Sequence, residues 1–239
     1  QFFDESMNAM ATERLRIESR MRRGIEQDEF ELHYQPKVSL AGEPRITGVE
    51  ALLRWRDPEL GLIQPGVFIP VAEETGLILP LGDWVLRRAC QQIAAWTRRG
   101  HRVPVSVNLS VHQLRTGELA DRILALLEET GADPTLLEIE ITESTLMADE
   151  RALVRELERL RDRGIEVSVD DFGTGYSSFA YLRQLPVDAL KVDRSFVDGI
   201  ERDAEGAALT ASIVSMGRAL GLRVIAEGVE TDAQRALLA

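Results

Sequence analysis

Five short apolar runs in this 239-residue sequence each finish on a side chain that can hold a cation or a proton. They are Val105-Ser106-Val107-Asn108, Glu138-Ile139-Glu140, Val167-Ser168-Val169-Asp170-Asp171, Ala189-Leu190-Lys191 and Val224-Ile225-Ala226-Glu227. Side chains alternate faces along a β-strand, so Asn108 shares a face with Ser106, Glu140 with Glu138, Asp170 with Ser168, and Lys191 with Asp193. Val107, Ile139, Val169 and Val192 then point the other way, toward covering helices. If the strands are parallel, the polar set gathers at one end of the sheet. Several carboxylates facing one another repel, unless some stay protonated or a cation neutralises them. The set of Asp, Glu and Asn suits Mg²⁺ or Mn²⁺, whereas His and Cys, which zinc favours, are missing from every one of these strand ends.

Asp170-Asp171 runs into Phe172-Gly173-Thr174-Gly175-Tyr176-Ser177-Ser178. Two glycines this close permit a tight backbone and a close approach to a ligand, although a Gly-x-Gly alone often marks only a turn. Neighbouring residues of a regular strand face opposite ways. For both aspartates to reach one site, the strand must end or bulge there.

The elements that would carry these residues alternate along the chain. Runs of strand length fall at 31–38, 46–54, 103–109, 137–141, 166–169, 189–192 and 223–226. Stretches with helical spacing fall at 84–99, 111–130, 149–163, 207–220 and from 232 onward, with shorter ones near 65–74 and 177–185 and a charged opening helix at 7–27. Such alternation implies a parallel sheet with helical crossovers. Only residues 39–45, with Gly42 and Pro44, separate the first two strands. That gap is a hairpin, so one antiparallel strand leads a parallel barrel. About 250 residues is the usual size of such a barrel, and no linker or repeat divides the chain.

A net charge of −12 argues against a nucleic-acid polymer or an anionic membrane as partner, since both are bound by clustered Lys and Arg. No apolar run approaches the length of a transmembrane span and no signal peptide opens the chain. The single cysteine, Cys90, excludes an internal disulfide and fits a reducing, cytoplasmic setting, with the thiol in a helical core. Of 28 basic residues only Lys37 and Lys191 are lysines. In a chain that otherwise uses arginine, each lysine either marks a place for a compact ammonium rather than a planar fork or stands there by chance.

Ordered motifs then give the sequence a family likeness. Tyr34-Gln35-Pro36 precedes Glu50-Ala51-Leu52-Leu53-Arg54-Trp55; Phe68-Ile69-Pro70 with Ala72-Glu73 follows. Asn108-Leu109-Ser110, Glu140-Ile141-Thr142-Glu143, the Asp170-to-Ser178 loop, Lys191-Val192-Asp193 and Glu227-Gly228-Val229-Glu230 complete the series. The sequence resembles the EAL domain family of cyclic di-GMP phosphodiesterases across Tyr34 to Glu230. The resemblance implies a modified TIM (β/α)8-type barrel over 28–239, truncated at its C-terminal end, after a linker helix at 1–27 from an upstream domain similar to a diguanylate cyclase. The family usually continues through a Gln-Gly-Tyr segment and a last strand, which have no counterpart before Ala239.

The implied activity is hydrolysis of cyclic di-GMP to linear 5′-pGpG through two divalent cations, Mg²⁺ or Mn²⁺, in bacterial second-messenger signalling. By similarity Glu50, Asn108, Glu140 and Asp170 bind one ion, and Asp171 with the shared Asp170 binds the second. Lys191 and Glu227 act in catalysis, Glu143 anchors the Asp-Asp-Phe-Gly loop, and Gln35, Leu52, Arg54, Asp193 and Glu230 contact substrate. A homodimer is a further family expectation. The competing reading is a catalytically silent cyclic di-GMP receptor that signals through a protein partner. His33, His101 and His112 match no motif position.

Overall fold

The computed structural model describes residues 5–40, 42–143, 150–174 and 182–238. A curled, mostly parallel sheet has the order β1 (Phe30–Val38), β2 (Ile46–Asp57), β4 (Val105–Leu109), β5 (Leu137–Thr142), β6 (Glu166–Phe172), β7 (Ala189–Val192), β8 (Arg223–Ala226). As the short gap requires, β1 is antiparallel to β2, with Gln35 opposite Glu50. The strands from β2 onward in that order are parallel. The curl brings distant strands together: Lys37 on β1 and Arg223 on β8 both reach Glu138 on β5, at 2.8 and 3.6 Å.

Three features depart from the sequence reading. A second antiparallel partner, β3 (Gly61–Ile63), extends the end of β2 and is too short to show a period. The helix expected over 111–130 is two, α4 (Val111–Leu114) and α5 (Leu119–Thr130). Gly117 lies between them at φ +69, a left-handed conformation that helical spacing does not encode. The helix expected from 84 begins earlier, because α3 spans Ile78–Arg98. The short helix expected at 177–185 falls mostly outside the described residues.

Outward-facing strand residues meet the helices in one large core, where Val107, Ile139, Val169 and Val192 are all fully buried. Cys90 lies in this core, and burial pushes its thiol up to about 12, so it is inert at neutral pH. A second cluster joins α1 (Glu5–Glu26), α2 (Pro65–Thr75) and the start of α3 to the far end of β2. There Trp55 stacks on Phe30 with centroids 5.3 Å apart and meets the edge of Phe68 at 5.6 Å. Ile17 and Met21 of α1 are buried among these rings, and Arg20 makes two hydrogen bonds to the buried Asp57 carboxylate, at 2.8 and 2.9 Å. The second half of α1 is therefore packed against the barrel rather than held away from it.

Candidate active site

The polar strand ends converge on one ammonium. Lys191 Nζ lies 2.6 Å from Glu140 Oε2, 2.7 Å from Glu227 Oε1, 3.1 Å from Asp170 Oδ1 and 3.3 Å from Glu50 Oε2. Asn108 Nδ2 donates to Glu50 Oε1 at 2.8 Å, closing the ring. Glu50 sits beside Ser106, Asn108 beside Glu140, and Thr142 beside Asp170, so the site residues step forward along the ladder by two positions from β2 to β4 and again from β5 to β6, the stagger that strand tilt requires in a curled sheet. Lys191, Glu140 and Asp170 are buried.

The bend needed for two aspartates is present. Along the β6–β7 ladder Val169 pairs with Leu190 and Phe172 with Val192, so Asp170 and Asp171 together oppose Lys191. Asp171 adopts φ +53, a left-handed conformation that Asp tolerates better than most residues, and its N–H donates to Asp170 Oδ1 at 2.9 Å. The bulge leaves a ligand atom from each of Asp170, Asp171 and Glu227 within 4.8 Å of the others. Just beyond, the Gly173 N–H donates to Glu143 Oε2 at 2.8 Å, tying the loop to the end of β5. Gly173 itself has φ +99, and a Cβ there would lie 2.7 Å from the Phe196 ring.

The electrostatics follow from crowding. Burial, then the neighbouring Glu140, raises the Glu50 carboxyl. Burial, then Asp170 and Asp193, raises Asp171. Burial lifts Glu227 to about 7, against the opposing pull of Lys191. Burial acts the same way on Glu140, but the Lys191 and Lys37 ammonium groups outweigh it and hold that carboxyl low. For Lys191 burial disfavours the charge, yet the surrounding carboxylates prevail and keep it protonated.

The expected substrate contacts lie on or just after strands β1, β2, β7 and β8. Gln35 is exposed across the β1–β2 ladder from Glu50, and Leu52 is half-buried two residues along β2. Arg54 donates to its neighbour's carbonyl, Leu53 O, at 2.9 Å. Asp193 leaves the strand and caps the short helix Arg194–Val197 by accepting from the Ser195 N–H. Glu230 pairs with Arg194 at 2.9 Å. Sequence reasoning assigned no role to Ser110 and Gln113, whose reciprocal cap starts α4 directly after the Asn108 strand, and singled out Lys37 without a partner; that lysine reaches Glu138 and Glu140 from β1. His33 pairs with Glu31 on the surface, and His101 and His112 are exposed.

The EAL domain model matches residues 18–239. The chain belongs to the EAL domain family. It is 47% identical over 238 residues to the bifunctional diguanylate cyclase/cyclic di-GMP phosphodiesterase MucR of Pseudomonas aeruginosa, covering 99% of this chain and 35% of that protein. It is 45% identical over 239 residues to the cyclic di-GMP phosphodiesterase NbdA of the same organism, covering 100% of this chain and 30% of that protein. This EAL domain thus spans about a third of the length of these curated relatives. The structure of the PaMucR phosphodiesterase in complex with c-di-GMP superposes with a TM-score of 0.88 at 44% identity, over 93% of this chain and 90% of that one. No helix among the described residues is long and apolar enough to cross a membrane.

Proposed function

We propose that this EAL domain hydrolyses cyclic di-GMP to linear 5′-pGpG with the help of two divalent cations, Mg²⁺ or Mn²⁺. The observation that carries the reading is the charge of the ring. Glu50, Glu140, Asp170, Asp171 and Glu227 bring five negative charges when ionised and Lys191 returns one, leaving four, the charge of two divalent ions. The donor atoms are all oxygen, as hard cations prefer. The names of MucR and NbdA and the c-di-GMP complex of PaMucR support the substrate.

Glu50, Asn108, Glu140 and Asp170 would hold one ion and Asp170 with Asp171 the other, with Glu227 beside them. Bound there, the pair would supply the Lewis acidity that makes water acidic near neutral pH and offsets charge on the phosphoryl oxygens. Glu227, with its raised affinity for a proton, is placed to accept one from the attacking water. Lys191 keeps its charge and faces the same space, so it can orient that water or steady charge developing at phosphorus. Water adds to phosphorus, one P–O3′ bond breaks, and the O3′ leaves with a proton, opening the ring. Arg54 and Gln35 serve as contacts to phosphate and base, with Leu52, Asp193 and Glu230 completing the substrate surface. Glu143 holds the Gly173 backbone and so sets where the aspartates lie.

The silent-receptor alternative requires a ring that binds ligand without assembling for catalysis; retention of every acidic strand end and of Lys191 favours the enzyme. The parent protein is proposed to act in the bacterial cytoplasm as a homodimer with an upstream domain of the diguanylate cyclase kind; the name of MucR pairs a diguanylate cyclase with the phosphodiesterase in that relative. Titration with Mn²⁺ tests the ring directly. Two equivalents are expected to bind, and Asp170→Asn, which weakens a ligand shared by both, should weaken both of them and abolish turnover. One equivalent left at wild-type affinity in Asp170→Asn would refute the bridging role.

A further inference from the structure

The only two lysines in the sequence end on the same carboxylate. Lys191 Nζ donates to Glu140 Oε2 at 2.6 Å, whereas Lys37 Nζ donates to Glu140 Oε1 at 3.2 Å and to Glu138 Oε2 at 2.8 Å. Lys37 comes from β1, across the curl of the sheet, and enters at the level of Glu138, two residues before Glu140 on the same strand. Its side chain is 13% exposed and that of Glu140 is 0% exposed, so neither end of the contact is replaced by bulk water. Glu140 therefore cannot turn about its last bond without breaking a charged hydrogen bond on each oxygen. A compact ammonium fits between two adjacent carboxylates where a planar guanidinium is harder to place, which accounts for lysine in a chain rich in arginine.

We propose that Lys37 is a positioning residue that holds Glu140 Oε1 and thereby fixes Oε2 as the oxygen turned toward the cation site. This inference rests on the reading of Glu140 as a metal ligand. Partners that orient a ligating carboxylate commonly alter metal affinity by about 10–100-fold when removed. A second effect has the opposite sign: Lys37 is a cation near a cation site, so removing its charge alone favours metal binding. Glu138 cancels that charge. Changing both members of the Lys37–Glu138 pair to neutral residues keeps the net charge of the barrel interior and removes the hold on Glu140, while Arg223, which also faces Glu138, keeps its hydrogen bond to Glu166.

The test is Mn²⁺ affinity of the substrate-free protein, read from the paramagnetic resonance signal of free Mn²⁺. The Lys37→Met/Glu138→Gln double variant should bind Mn²⁺ about 10–100-fold more weakly than wild type. Lys37→Arg, which keeps the charge and a donor but sets a planar fork less well between the two carboxylates, should recover only part of that loss. Wild-type Mn²⁺ affinity in the folded double variant, with only a lowered melting temperature, would overturn the proposal and leave Lys37 a structural residue. Should the double variant not fold, Lys37→Gln/Glu138→Gln carries the same expectation, its amide being too short to reach Glu140. A wild-type protein that binds no Mn²⁺ would instead overturn the metal reading of the ring.

Discussion

Residues in this ring work through what surrounds them rather than through their own ordinary chemistry. Glu227 shows the point. Burial raises its carboxyl to about 7 from an ordinary 4.5, and a carboxyl raised by folding stabilises the native state fully only below the ordinary value. That contribution fades as pH rises through about 7, and Glu50 and Asp171, also raised, act with the same sign. Metal-free protein should accordingly melt at a lower temperature at about pH 8 than at about pH 5.5, and Glu227→Gln should flatten that dependence. An unchanged slope in Glu227→Gln, measured by thermal unfolding in EDTA, would remove Glu227 as its source. Glu143 is a different case, since it grips a backbone amide. Glu143→Ala should cut turnover and Mn²⁺ affinity by about 10–100-fold while the fold persists, because the Gly173 N–H loses its acceptor and the aspartates lose their fixed height. Steady-state rates and circular dichroism together check this; loss of both would point to a purely structural role.

Elements place those residues, and their legibility in sequence varied for physical reasons. The β7 and β8 runs read directly, since each is a short apolar stretch fully covered by neighbours or bounded by turns. So did the antiparallel hairpin, whose short connection leaves no room for a crossover. The break between α4 and α5 did not, because apolar spacing continues across the turn from Arg115 to Glu118, where Gly117 takes a left-handed φ. At the site, parity aimed Asn108, Glu140, Asp170 and Lys191 inward, but the αL conformation of Asp171 and the reach of Lys37 across the sheet depend on tertiary structure. The cap of α4 yields a prediction of its own. Gly82 on α3 is pressed against the Gln113 side chain, with room for no Cβ: one would lie 2.1 Å from Nε2. Gly82→Ala should displace Gln113 from the Ser110 cap and cost about 1–2 kcal/mol of stability, measurable by urea unfolding. A change close to zero would show that Gln113 finds another rotamer in its buried site.

At the scale of the whole molecule, helices cover the outside of a curled sheet whose interior carries charge: a Lys37–Glu138–Arg223 layer below and the carboxylate ring above. Such an interior is stable only if each negative charge has a cation or a proton, and five carboxylates have Lys191 and, at Glu140, a share of the Lys37 ammonium that also serves Glu138. Cations and protons must then compete for the remainder, so Mn²⁺ affinity should rise between about pH 6 and about pH 8 as the raised carboxyls ionise. The same deficit of positive charge is what the domain is proposed to use on a phosphodiester. Incubation of the domain with cyclic di-GMP, with and without Mg²⁺ or Mn²⁺, while following linear pGpG by chromatography, tests that claim most directly. Formation of pGpG only with the metal, and its loss in Asp170→Asn, is the predicted result; tight binding of cyclic di-GMP without metal-dependent turnover would contradict it.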